Sequence, residues 1–372
     1  METGRHVADI EVRLNEVMTD VESWSGTESL GLAPAKSSII LFTSDTHEGQ
    51  RHPQVGEVIP LSKELRILGV TFDTFINFAA HVAALLVKGR SRFQIMQMLA
   101  GTSWGASKET LILPFKMLMK PLFTYCCPIW FPNCSTSSIK KLQVLQNSAL
   151  RLVLGCHKIA HEDHLHSEAK VLPVLEHLSM LSAQFLCSAL RSVHPSFSVV
   201  SADSGPRDIK VTLASRYLPF VEEYLVDGSM PLEGYKAAVK DVHTKVVEMC
   251  LDGYAPNAVL GCKPPEVNSS EQRLLRHHRT TLSQLRSGWC RALNSYQHRI
   301  NLVNSDQCPL CNLAYHSVEH LFNCKEAPTD LCVLDLWLRP IRAMRFLLAL
   351  PFFDYLPPLE PIPIPPPPEP PP

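Results

Sequence analysis

Four residues near the C-terminus, Cys308, Cys311, His320 and Cys324, are spaced C-x2-C-x8-H-x3-C, and that chemistry is metal binding. Two thiols three positions apart can share one tight turn. His320 and Cys324, at i and i+4, fall on one face of a short helix. Tetrahedral zinc takes this mixture of thiolate and imidazole, and a site closed by four protein ligands is structural, with no open position for water. The interior, NLAYHSVEHLFN, is too short for a separate core, so the metal is expected to supply what packing cannot. His316 lies four residues before His320 and is an alternative ligand. A second crowded run, CHKIAHEDHLH from Cys156 to His166, matches no standard ligand spacing, and ordinary hydrogen bonding is its expected use. Cys126 and Cys127 are adjacent, so their side chains diverge. Trp104, Trp130 and Trp289 are candidates for stacking on bases, with apolar anchoring the simpler role for Trp130 between Pro128 and Pro132. No Gly-rich phosphate loop and no usefully spaced carboxylate pair is present.

The elements that must position these groups are mostly helices. Residues 8–24 carry Ile10, Leu14, Val17 and Val21 at helical spacing and stop at Ser25-Gly26. Ser38 to Thr43 (SIILFT) and Arg66 to Phe72 (RILGVTF) read as strands on either side of a polar, proline-bearing loop. Helices are predicted over about 79–100, 106–125, 137–153 and 173–192. The third opens on Ser and Thr caps and places Ile139, Leu142, Leu145, Ala149, Leu152 and Val153 on one side. Residues 195–265 are less periodic, with a helix near 233–250. A helix over 270–295 precedes the zinc module, and a helical tail over 334–349 follows it. Residues 357–372 are mostly proline and form a polyproline II tail. The expected class is α+β, mainly helical, with a short β-hairpin and a C-terminal zinc knuckle.

Composition narrows the partners. The chain has 372 residues, 45% of them apolar and 19% charged, as in globular proteins. No signal peptide or membrane-spanning run is legible, so the chain reads as soluble and intracellular, in nucleus or cytoplasm. Its twelve cysteines are then expected to be reduced. The net charge of −1 hides segregation: from Val87 to Arg151 nine Lys/Arg face one acid, and from Ser270 to Ile300 six Arg face one acid. Basic tracts alternating with acidic ones suit a protein that holds a polyanion at defined places.

The residues also carry a family resemblance. The stretch LAGTSWGASKETL, the Pro-Ile-Trp segment, KKLQVLQNSALR, GCHK, DHLHSEAKVLP and EHLSMLSAQ resemble, in order, the region after the palm of Jockey-like non-LTR retrotransposon reverse transcriptases. Upstream, APAKSSIILFT and ILGVTFD resemble the strands that follow the polymerase active site, the second being similar to the primer-grip hairpin. Downstream, PNAVLGCKPPEV, TLSQLRSGWCRALNSYQHRI and CPLCNLAYHSVEHLFNC resemble the C-terminal segment of these polyproteins. The resemblance implies a palm-edge remnant over 1–78, a helical thumb-like domain over 79–194 and an irregular connector over 195–268. A basic helix with the zinc-binding module follows over 269–350, then a proline-rich tail over 351–372.

It further implies RNA and DNA as partners. Lys88, Arg90, Arg92, Lys140, Lys141 and Arg151 are then expected on the phosphates of a primer–template duplex, with Arg286 and Arg291 beside the zinc module. The family's polymerases hold two magnesium ions on palm aspartates, among them an adjacent pair. This sequence contains no Asp-Asp dipeptide, so magnesium belongs to a complete parent enzyme, and no catalytic residue is expected here. The alternative is a relic, or a host-adopted zinc protein whose proline tail docks on a protein partner.

Overall fold

The computed structural model describes residues 6–33, 36–42, 59–101, 104–198, 217, 219 and 221–359. The loop expected between the two strands (43–58), part of the connector (199–216) and the tail beyond 359 lie outside those residues. The described chain is mainly helical with one two-stranded antiparallel sheet. It divides into two compact units that interleave in sequence: 1–89, 122–143 and 174–244 form one, and 90–121, 144–173 and 245–372 the other. Three long helices, Ala79–Leu99, Thr136–Leu154 and Leu232–Gly253, each supply residues to both units.

In the first unit, helix α1 (Val7–Thr27) buries Val7 and Ser25 and leaves Val12, Val17 and Trp24 exposed. Residue patterning gave one strand over 66–72; the chain makes a hairpin there, as the expected fold class included, β1 (Glu64–Ile67) against β2 (Val70–Asp73). Its two-residue turn, Leu68-Gly69, has φ of 45° and 91°, the left-handed pair that matches the twist of the flanking strands. The Tyr125 hydroxyl donates to Leu68 O at 2.7 Å, fastening the turn. The strand expected over 38–43 contributes, among the described residues, only one bridge, Ile39 with Leu61. Helix α2 (Ala79–Leu99) begins beneath the hairpin, where Thr71 N–H donates to His81 Nδ1. Trp130, fully buried at the end of a short helix (Cys127–Trp130), packs by His81 and donates its indole N–H to Tyr125 O. Its apolar-anchor reading thus fits its surroundings. That turn packs against helix Val174–Ala189.

In the second unit, the helix expected over 106–125 is broken into Lys108–Pro114, a π turn Phe115–Met119 and Lys120–Thr124, the last running on into the first unit. Pro114 and Pro121 each remove a backbone donor, so the regular i→i−4 ladder cannot run through. The later part of helix Thr136–Leu154 packs near a helix missed from sequence, Glu162–Ala169. His166 joins them: its Nε2 meets Asn147 Oδ1 at 3.0 Å and its Nδ1 meets Val171 O at 2.9 Å. The helix expected over 270–295 is shorter, Arg276–Arg286, because Gly288 takes a left-handed φ of 82° just beyond it. Ten of its eleven residues are buried. Leu282 and Leu285 enter a core shared with Leu336, Trp337, Met344 and Leu347 from the C-terminal helices Asp335–Leu338 and Pro340–Leu348. No single helix among the described residues is long and apolar enough to cross a membrane; one bent pair matches by length and composition only.

Candidate metal centre

The metal-ligand motif is built on a hairpin followed by a short helix. Gln307 bridges Tyr315, Cys308 N–H donates to Ala314 O, and Asn312 N–H donates to Cys308 O, both at 2.8 Å. Asn312 sits in the left-handed region (φ 54°), which turns the chain back directly after Cys311. Helix Val318–Asn323 then starts at Ser317, whose hydroxyl accepts from His320 N–H at 3.2 Å. This cap sets the first helical turn, so His320 and Cys324 face back onto the hairpin.

The result is a closed cluster. The donor atoms of Cys308, Cys311, His320 and Cys324 lie within 4.8 Å of one another. Cys308 Sγ and Cys324 Sγ are 4.0 Å apart, and Cys311 Sγ is 3.3 Å from His320 Nε2. A tetrahedral ion about 2.3 Å from each sulfur and about 2.0 Å from nitrogen needs edges of about 3.5–3.8 Å, so the cluster can hold one such ion with small adjustments. Cys308 and Cys324 are buried, and Cys311 and His320 are partly so. The amide N–H of Leu313 holds the Cys311 thiol below its ordinary range, which favours the thiolate a metal requires; burial pushes Cys324 the other way.

His316, the alternative ligand, has a different task. Its Nδ1 accepts Asn294 N–H at 3.0 Å, its backbone N–H donates to Asp306 O, and its ring meets Phe352 edge-on. Burial and neighbouring His320 lower it to about 4, so it stays neutral in this apolar seat. The segment also has apolar packing. Val318, Leu321 and Phe322 enter the same core as Leu282, Leu285 and Trp337. The segment has no separate core, in keeping with its length, but its helix borrows one, so packing supplies part of what was expected of metal alone.

The expected nucleic-acid contacts separate by burial. Lys88, Arg90, Arg92, Lys140, Lys141 and Arg291 are exposed. The Arg291 guanidinium lies 3.6 Å from the Tyr355 ring centroid, and Arg299 similarly covers Trp289 at 4.8 Å, so both cations are held in place by an aromatic ring. Arg151 is half-buried, its Nη2 directed at Ala160 O. Arg286 is corrected outright, since it is fully buried and unavailable to a phosphate. It pairs with Glu168 at 3.0 Å and with Glu271, and donates from Nε and Nη2 to Leu336 O. Arg276 and Arg279 are buried too, the latter paired with Glu109. Half of the arginines in the second basic tract thus neutralise or cap groups inside the unit.

The Glu168–Arg286–Glu271 network escaped the sequence reading. His164 reaches Glu168 at 3.5 Å, and Lys108 Nζ donates to Glu168 O. Burial alone would raise the Glu168 carboxyl, but Arg286, Lys108 and His164 together hold it well below the usual carboxylate range. The only signal was the crowding of polar residues in DHLHSEAK within an otherwise apolar region.

No protein-family model and no solved structure matches the chain. It is 26% identical over 166 residues to the probable RNA-directed DNA polymerase from transposon X-element of Drosophila melanogaster, covering 44% of this chain and 18% of that protein. It is 24% identical over 181 residues to the probable RNA-directed DNA polymerase from transposon BS of the same species, covering 46% and 19%. A putative 115 kDa protein of the type-1 retrotransposable element R1DM is 22% identical over 153 residues, covering 41% and 15%. Over somewhat less than half its length the chain is thus related to Drosophila retrotransposon proteins, and the matched stretches span less than a fifth of each relative.

Proposed function

We propose that the chain is the post-palm part of a non-LTR retrotransposon reverse transcriptase, and that it holds nucleic acid without extending it. The similarity to two RNA-directed DNA polymerases carries this reading. In it, Cys308, Cys311, His320 and Cys324 bind one structural zinc ion, and the metal fixes the hairpin against its helix. Residues 79–194 act as a thumb that follows the backbone of a primer–template duplex. Lys88, Arg90, Arg92, Lys140 and Lys141 meet phosphates there, and Arg291 does so beside the zinc module. Such contacts are independent of sequence and weaken as salt releases counterions. Magnesium-dependent chemistry falls to palm carboxylates that this sequence does not supply as an adjacent pair.

The test combines metal analysis with a salt titration. Purified protein should carry one zinc per chain, lost in Cys308→Ser/Cys311→Ser. It should bind RNA–DNA duplex with an affinity that falls steeply between 50 and 200 mM salt, and it should incorporate no nucleotide. Zinc-loaded protein that binds no nucleic acid would point instead to a protein-docking role for the proline tail. Polymerisation by the isolated chain would overturn the division of labour proposed here.

A further inference from the structure

Two arginines of the second unit rest on aromatic rings while staying open to solvent. The Arg299 guanidinium carbon is 4.8 Å from the centre of the Trp289 ring, and that of Arg291 is 3.6 Å from the centre of the Tyr355 ring. The shorter distance is the contact separation of two flat groups face to face. Both arginines are exposed, whereas Arg276, Arg279 and Arg286 of the same basic tract are buried. The buried three serve the interior, and these two do not.

The segment that carries them is folded onto itself. Beyond the left-handed Gly288, Leu293 N–H donates to Cys290 O at 3.0 Å, and helix Asn294–Arg299 follows directly. Gln297 Nε2 donates back to Arg291 O at 2.8 Å, and Arg299 reaches back over Trp289. Two residues of chain span at most about 7 Å, so the Arg291 backbone lies that close to the backbone of Trp289, the seat of Arg299. One compact turn therefore bears both cations.

The charge about this turn has one sign. No acid occurs from Gln272 to Ser305. Among the described residues neither guanidinium is paired with a carboxylate, and Asp354, the exposed residue before Tyr355, makes no ion pair with either. The Tyr355 hydroxyl engages one donor of Arg291 and leaves the rest of its fork unused.

That arrangement selects its occupant. A flexible arginine gives up rotamer freedom when it binds an anion; a guanidinium already seated on a ring has given up much of it. Its planar fork of N–H groups matches two oxygens of one phosphate. Two such forks, ordered in advance and unopposed by acid, suit successive phosphates of a nucleic-acid backbone. Trp289 was expected as a stacking partner for bases, but Arg299 already takes one face of its ring. Its role is to hold the cation.

We infer that Arg291 and Arg299 form a clamp for backbone phosphates, with Trp289 and Tyr355 as the positioning residues that seat the two guanidinia. This rests on the nucleic-acid reading above, which assigns Arg291 alone, and it can fail by itself. The full chain is titrated by fluorescence anisotropy with a labelled blunt RNA–DNA duplex and with an oligothymidylate, at about 50 to 200 mM salt. Arg291→Ala and Arg299→Ala should each make the slope of log affinity against log salt shallower by about one. Arg299→Lys keeps the charge but not the fork, so it should keep the slope and bind the duplex about fivefold more weakly. Trp289→Leu should also keep the slope and weaken both ligands about threefold, and Trp289→Phe, which retains a ring, should restore binding. Loss on the single strand alone in Trp289→Leu would make the indole a base-stacking group and overturn its positioning role. Wild-type protein that binds neither ligand would sink the nucleic-acid reading and the clamp together. Salt-dependent binding by the wild type, with unchanged slopes in both alanine variants, would overturn the clamp alone, as would polyglutamate binding as tightly as the duplex.

Discussion

A guanidinium wholly enclosed in protein is tolerated only when its charge and its N–H groups are met. Arg286 fulfils this with two carboxylates and the Leu336 carbonyl, and its face lies against Trp337. Removing one partner of such a group costs more than the pair contributes, because the remaining charges stay buried. Arg286→Met is expected to destabilise the chain by about 3–5 kcal/mol, measured by urea unfolding with zinc present throughout. The network also sets a pH dependence. The folded Glu168 carboxyl is depressed by Arg286, Lys108 and His164 against the opposing effect of burial. Its contribution is thus fully present above the unfolded carboxyl value of about 4.3 and is lost as pH falls toward the folded one. Glu168→Gln should therefore be markedly less stable than wild type at pH 7. The gap should narrow steadily below about pH 4.5. A gap that stays constant to pH 3 would show that the ionised state of Glu168 does not matter.

At the scale of elements, the hairpin depends on one glycine. Gly69 combines a φ of 91° with a side-chain neighbour, Tyr125 Cε1, only 3.2 Å from where a Cβ would lie. Gly69→Val is expected to cost about 1–3 kcal/mol from backbone conformation, and to loosen the Tyr125–Leu68 bond. Faster amide exchange at residues 64–73 would report it, and unchanged protection would refute it. This turn also marks the limit of pattern reading: RILGVTF has the composition of one strand, and only the Leu68-Gly69 pair says that it folds back. The long helices over 79–99, 136–154 and 174–189 were legible because their apolar periods are uninterrupted. The helix 276–286 was legible as a helix but not in its orientation. Its arginines mimic a solvated face, and burial depends on acids at Glu109, Glu168 and Glu271 that are distant or unremarkable in sequence. The clustering of Cys308, Cys311, His320 and Cys324 was the most readable feature, since their spacing alone encodes a turn and a helical face. The choice of His320 over His316 needed the partner of each ring, which the sequence does not display.

For the molecule as a whole, the question is what an ion in the Cys/His cluster would hold together. The helix bearing His320 gives Val318, Leu321 and Phe322 to a core that also contains Leu282, Leu285, Trp337, Met344 and Leu347. His316 adds a second tie, through Asn294 and Phe352. If the cluster holds an ion, metal binding and core packing are linked: the free energy of coordination is then folding free energy for whatever the hairpin supports. The hydrophobic contacts should in turn survive some loss of metal, unlike those of an isolated zinc finger, because Val318, Leu321 and Phe322 join a larger core. Hydrogen exchange on the full chain, before and after zinc chelation, separates these effects. Protection should fall most at residues 306–324, less but measurably at 276–286 and 335–348, and least at the 64–73 hairpin and helix 174–189, which belong to the other unit. Loss confined to 306–324 would mean that the borrowed core needs no metal. Uniform loss across both units would mean that the chain unfolds as one cooperative body.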